Sequence, residues 1–170
     1  VLVVDRPPHL ASSSASTDSV VHHVIDTLQI EHESTVLILQ PTSPFRPRSL
    51  LEACISTVAD NPDCLALTVT RAAKAVGWAR CMQGDGRLSA MPSACDPVAP
   101  TGAVYAFLCG VFKARGTLES MNKVGVLSDP VHSCDIDEEY ELIMAAALAE
   151  AGLGDDVIDL RRNIGSEKTL

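Results

Sequence analysis

The chain has 170 residues, with 22 acidic against 13 basic side chains, a net charge of −9 and 46% hydrophobic residues. That length and apolar content fit one packed domain, and basic residues scattered through an acidic chain exclude broad contact with a nucleic-acid backbone. No apolar run approaches membrane-spanning length and the start lacks the pattern of a secretory signal, so a cytoplasmic protein without membrane partners is expected.

Along the chain, short β-rich runs alternate with helical patterns. Residues 1–4 read as a strand and 18–29 as a helix, with Val20, Val21, Val24, Ile25 and Leu28 on one face and Ser16 or Thr17 as its cap. His22 and His23 fall toward the polar side of that helix and are expected to be solvated. Residues 35–39 form a compact apolar strand, 40–44 a proline-bracketed loop, 47–59 a helix opened by Pro47, and 64–70 another strand. Continuous apolar strands separated by helices predict an α/β fold with a mostly parallel sheet covered on both faces. Residues 71–100 break the rhythm with glycine and proline; the Gly84-Asp85-Gly86 run predicts a hairpin, a small β excursion from the sheet. Strands at 104–108 and 124–127 and a helix at 138–151 complete the pattern. The end, polar after Leu160, is expected to fray, which gives one domain over 1–160 and a tail over 161–170. The six cysteines include no C-x-x-C pair, and reduced, mostly buried thiols are expected in place of a zinc or redox centre.

Three stretches could carry chemistry. Gln40-Pro41-Thr42-Ser43-Pro44 stands at the carboxyl end of a strand, where open α/β sheets form their ligand crevice. Its amide and two hydroxyls suit a polyhydroxylated substrate, and the same stretch is equally what an ordinary proline turn looks like. Asp135-Ile136-Asp137 would place two carboxylates on one face of an extended segment, enough for Mg²⁺, which takes one or two carboxylates besides water and phosphate oxygens. Aspartates leading into the positive end of a helix have the same appearance. Arg6-Pro7-Pro8-His9-Leu10-Ala11, followed by small and hydroxyl residues, could hold a phosphate or a base edge, although a surface arginine in a loop is more common.

In this order, and with Thr101-Gly102-Ala103-Val104-Tyr105 between the last two, these stretches resemble the acylneuraminate cytidylyltransferases, also called CMP-sialic acid synthetases. Members carry R-P-x-x-L-A, Q-P-T-S-P, N-G-A-aliphatic-Y and D-I-D segments, and the resemblance covers about residues 1 to 150. It implies a nucleotide-diphosphosugar-transferase-like fold and a Mg²⁺-dependent reaction in which CTP and an acidic nine-carbon sugar give CMP-sugar and pyrophosphate. It also implies Arg6, Ala15 and Thr17 beside the nucleotide, and Gln40, Thr42, Ser43 and Tyr105 beside the sugar. Asp135 and Asp137 would hold the metal and serve catalysis. A homodimer built through the excursion is implied as well.

The family's opening phosphate loop, of the type I-P-A-R-x-G-S-K, has no counterpart in these residues, so a truncated domain is expected. Thr101 stands where the family has asparagine, Trp78 and Met91 align with its basic positions, and Glu141 replaces an aspartate. Two rival readings follow: a related nucleotidyltransferase for another acidic sugar, and a non-catalytic interaction module of the same fold.

Overall fold

Ser16 starts the first helix, α1 (Thr17–Leu28), by accepting the Ser19 N–H on its side chain at 3.2 Å. This computed structural model describes residues 1–71, 80–82, 88–90 and 98–153. At the other end of α1, Gln29 turns left-handed at φ 51°. There the Ile30 N–H reaches the Ile25 carbonyl at 3.0 Å and the Gln29 N–H the Asp26 carbonyl at 3.4 Å, a closing pair that usually has glycine at the turn.

The remaining elements are β1 (Thr35–Ile38), α2 (Arg48–Asp60), β2 (Cys64–Arg71), β3 (Arg80–Met82), β4 (Leu88–Ala90), β5 (Val98–Leu108), α3 (Cys109–Arg115), β6 (Asn122–Leu127) and α4 (Glu139–Glu150). The fold is α/β, a four-stranded sheet in the order β1-β5-β2-β6 flanked by helices. The sheet is mixed, which corrects the expectation of a mostly parallel one: β1 runs antiparallel to β5, with Thr35 opposite Leu108 and Ile38 opposite Tyr105. Continuous apolar runs report burial on both faces and say nothing of strand direction. The strand expected at residues 1–4 is not formed, and Val1, Leu2 and Val3 are exposed. A run of β-formers becomes a strand only where a neighbour takes its N–H and C=O groups. β5 begins at residue 98, six positions before the expected start, because exposed Pro100 and left-handed Gly102 (φ 74°) disguise its first half.

The described chain falls into two compact units, whose boundary crosses β2 after Leu67 and β5 after Ala103. In the first (Val1–Gln40, Arg48–Leu67, Val104–Val126), Val21 and Ile25 of α1 pack with Leu65, Phe107, Cys109, Phe112 and Met121. The Phe107 and Phe112 rings lie 4.9 Å apart and tilted by 35°. His22 is not solvated as expected: its ring stacks on Phe112 at 4.4 Å, and Nε2 donates to the Gly116 carbonyl at 2.8 Å, capping the end of α3. His23 is the outer member of the pair, with Nε2 donating to the Asp5 carbonyl at 3.0 Å. In α2, Leu50, Cys54 and Val58 form the buried stripe that the four-residue spacing dictates.

The second unit comprises Pro41–Pro47 with the described residues of Thr68–Ala103 and Leu127–Leu170. Strands β3 and β4 form the expected antiparallel hairpin, Arg80 opposite Ala90 and Met82 opposite Leu88; its Gly84-Asp85-Gly86 turn, Lys74, Trp78, Met91 and the 161–170 tail lie outside the described residues. Helix α4 buries only Ala145 and exposes Tyr140, Leu142, Ile143 and Met144. Cys54, Cys64 and Cys109 are buried free thiols and Cys134 a half-buried one, while Cys81 and Cys95 have no described side chain. No helix among the described residues is long and apolar enough to cross a membrane.

Candidate substrate and metal site

The proline-stiffened segment Pro41–Pro47 is anchored by buried Phe45 and Pro47, which fix the backbone between them. From it the Thr42 carbonyl accepts the Ile136 N–H at 3.0 Å, and the fully buried Ser43 hydroxyl donates to Asp135 Oδ1 at 3.3 Å. The Arg46 guanidinium donates to the Ala103 carbonyl at 3.4 Å, and burial lowers its proton affinity. Three segments distant in sequence, around 42–46, 101–103 and 135–136, are thereby tied together inside the second unit.

Beneath them runs a buried hydroxyl pair. Thr68 and Thr101 share a hydrogen bond of 2.7 Å, and Thr101 Oγ1 also accepts the Ala103 N–H at 3.4 Å beside the left-handed turn at Gly102. Thr101 is therefore committed to the sheet interior. A hydroxyl suits that role, since partners inside the sheet satisfy it without solvent.

The two aspartates differ in their surroundings. Asp135 is half-buried and held by Ser43, whereas Asp137 is exposed, and its carboxylate makes no hydrogen bond among the described residues. The helix-end role is filled by Glu141, whose Oε2 accepts the N–H groups of Asp137 and Glu138, both at 2.8 Å. These backbone bonds, with the Tyr140 hydroxyl on Oε1 at 3.0 Å, hold the Glu141 carboxyl below its ordinary range. Glu138 completes a reciprocal capping box at the start of α4. Neither aspartate side chain is spent on the cap.

One carboxylate oriented by a serine and a second left open meet the donor set that Mg²⁺ takes when waters and phosphate oxygens complete its shell. Among the described residues no three His, Cys, Asp or Glu side chains converge, so a closed cage of the zinc type is not built there.

The other residues expected at the site belong to the first unit. Arg6 is exposed beside the 3₁₀ turn Pro8–Leu10, and Ala15 is half-buried with its N–H on the Ser12 carbonyl at 3.1 Å. Thr17 is the exposed first residue of α1, Gln40 is half-buried after β1, and Tyr105 packs against the first unit's core. Sequence reasoning did not find the Arg46–Ala103 link or the Asp129–His132 pair described below; in the latter, the Asp-x-x-His spacing of a carboxylate-capped turn was the available signal. No protein-family model matches the chain, and no characterised protein is significantly similar to it in sequence.

Proposed function

We propose that this chain has a nucleotide-diphosphosugar-transferase-like fold and serves as a cytidylyltransferase, joining an acidic nine-carbon sugar of the sialic-acid type to CMP from CTP. The observation that carries the reading is the hydrogen bond from Ser43 to Asp135, which ties the hydroxyl-bearing loop to the Asp-Ile-Asp segment. Thr42 would orient sugar hydroxyls, with Ser43 holding Asp135 beside it, and the family resemblance assigns Gln40 and Tyr105 to the sugar as well. Arg6, Ala15 and Thr17 would lie along the nucleotide. Asp135 and Asp137 would hold Mg²⁺, which supplies charge neutralisation on the phosphoryl oxygens when bound.

What the chain's own residues contribute is positioning. The sugar's anomeric hydroxyl attacks the α-phosphorus in line as pyrophosphate departs, and little covalent chemistry is asked of the protein. The Ser43 bond holds Asp135 in one rotamer before substrate arrives, so little is lost in ordering it later.

The test is product formation by the complete reading frame supplied with CTP, Mg²⁺ and N-acetylneuraminate, followed as CMP-sugar and pyrophosphate. Competition with 3-deoxy-octulosonate separates the related enzymes for that sugar. Asp135→Ala and Asp137→Ala are expected to abolish Mg²⁺-dependent turnover; wild-type rates in both would refute the metal assignment. A second reading, an interaction module of the same fold without turnover, is favoured by the exposed Leu142, Ile143 and Met144 of α4. A homodimer belongs to the first reading, and a monomeric mass in light scattering would count against it.

A further inference from the structure

The turn that precedes Asp135 holds a histidine whose two nitrogens are treated differently. Asp129 Oδ1 accepts the N–H groups of Val131 at 2.9 Å and His132 at 3.1 Å, and its Oδ2 is hydrogen bonded to His132 Nδ1. The Asp129 carbonyl takes the Ser133 hydroxyl at 2.6 Å, and the Cys134 N–H closes the turn on the Val131 carbonyl at 3.2 Å. Burial by itself would raise the Asp129 carboxyl, but the hydrogen bonds from the His132 ring and from the two backbone N–H groups hold it below its ordinary value. Carboxylate and ring are therefore fixed with respect to each other. His132 Nε2, in contrast, is buried and has no hydrogen-bond partner among the described residues.

An unpaired buried polar atom is uncommon in native proteins and is explained by a water, an ion or a reacting group that occupies the position. A carboxylate on one ring nitrogen and a metal on the other is a frequent arrangement, but no further ligands converge among the described residues. The tautomer points elsewhere. The Asp129 carboxylate can only accept, so Nδ1 carries the proton on that side, and whenever the ring is neutral Nε2 presents a lone pair held in one direction.

Resting on the function proposed above, we infer that His132 is the general base of the reaction, oriented by Asp129 and acting through Nε2 on the sugar's anomeric hydroxyl. The hydroxyl proton passes to Nε2 as its oxygen bonds to the α-phosphorus. The bond from that phosphorus to the bridging oxygen of pyrophosphate breaks, and the electron pair leaves with pyrophosphate. The imidazolium keeps its Nδ1–H on Asp129 and later releases the added proton to solvent. His132 stands three residues before Asp135 in the same unit, so the base and one proposed metal ligand share a short, turn-closed segment.

The test compares the complete reading frame with its His132→Gln and Asp129→Asn variants. The glutamine variant is expected to lose about 10²–10⁴-fold in kcat with the KM for CTP changed only a few-fold, and the asparagine variant to lose less. Unchanged kcat in His132→Gln overturns the inference and leaves the cytidylyltransferase reading standing; absence of CMP-sugar from the wild-type protein ends both. Should the variants fail to fold, the ¹⁵N resonance of His132 Nε2 in the wild-type protein decides. It is expected to move when an α,β-methylene analogue of CTP is added with the sugar, and not when the sugar lacks its anomeric hydroxyl. The same response to both sugars, or to neither, contradicts the proposal.

Discussion

The two units bury different chemistry. The first closes over aliphatic and aromatic side chains, with Ile25, Phe107 and Phe112 at its centre, whereas all four buried polar residues among those described, Ser43, Thr68, Thr101 and Ser128, belong to the second. An apolar core is non-directional and asks only for volume and fit. Buried hydroxyls ask for partners in fixed directions, and here Ser43 finds Asp135 while Thr68 finds Thr101. The first unit is thus a scaffold held by packing. The second spends buried volume on orientation.

The comparison can be broken most forcefully at Phe112. Its ring is fully buried between Phe107 and His22, and Phe112→Ala is expected to cost about 3–5 kcal/mol in urea denaturation. A cost under about 1 kcal/mol would mean that packing does not carry the first unit. The second unit should fail in another manner. Thr68→Val or Thr101→Val alone is expected to cost about 1–3 kcal/mol by removing the bond between the two buried hydroxyls, with the double variant losing less than the sum of the two. Strict additivity would show that the pair does not act as one.

Smaller effects sharpen the picture at the ends of α1. Ser16→Ala removes the cap and is expected to lower stability by about 1 kcal/mol, read from the same denaturation curves. Gln29→Gly should raise it by about 0.5–1 kcal/mol, since glycine meets no steric cost at φ 51°. The smallest effect at neutral pH is that of Cys54, whose thiol is pushed up to about 11 by burial. Its folded value exceeds the unfolded one, so the stability it contributes is full below about pH 8.5 and drains away as pH rises toward the folded value. Alkaline unfolding followed by circular dichroism should be delayed in Cys54→Ser relative to its own stability at pH 7.

The sequence made α1, α2 and β2 legible because each carries one unbroken signal: the apolar stripe of Val21 and Ile25, the spacing of Leu50, Cys54 and Val58, and the continuous run from Cys64. It hid α3, whose seven residues are too few to show a period, and the direction of β1, which apolar content does not encode. At the site, the two stretches that meet through Ser43 and Asp135 are 92 residues apart, and only their resemblance to a family's motifs put them together beforehand. The different fates of Asp135, Asp137 and Glu141 were not legible. Which carboxylate serves the helix end depends on where α4 begins, and element ends are where sequence patterns are weakest.

The central claim is that the Thr42–Ser43 loop and the Asp135–Asp137 segment form one metal and substrate site. Manganese(II) added with CTP in place of Mg²⁺ tests it directly, because a paramagnetic ion broadens the resonances of the nuclei around it. The amide signals of Thr42, Ser43, Asp135 and Asp137 are expected to broaden first and together. Sharp signals at these four while others in the protein broaden would contradict the account.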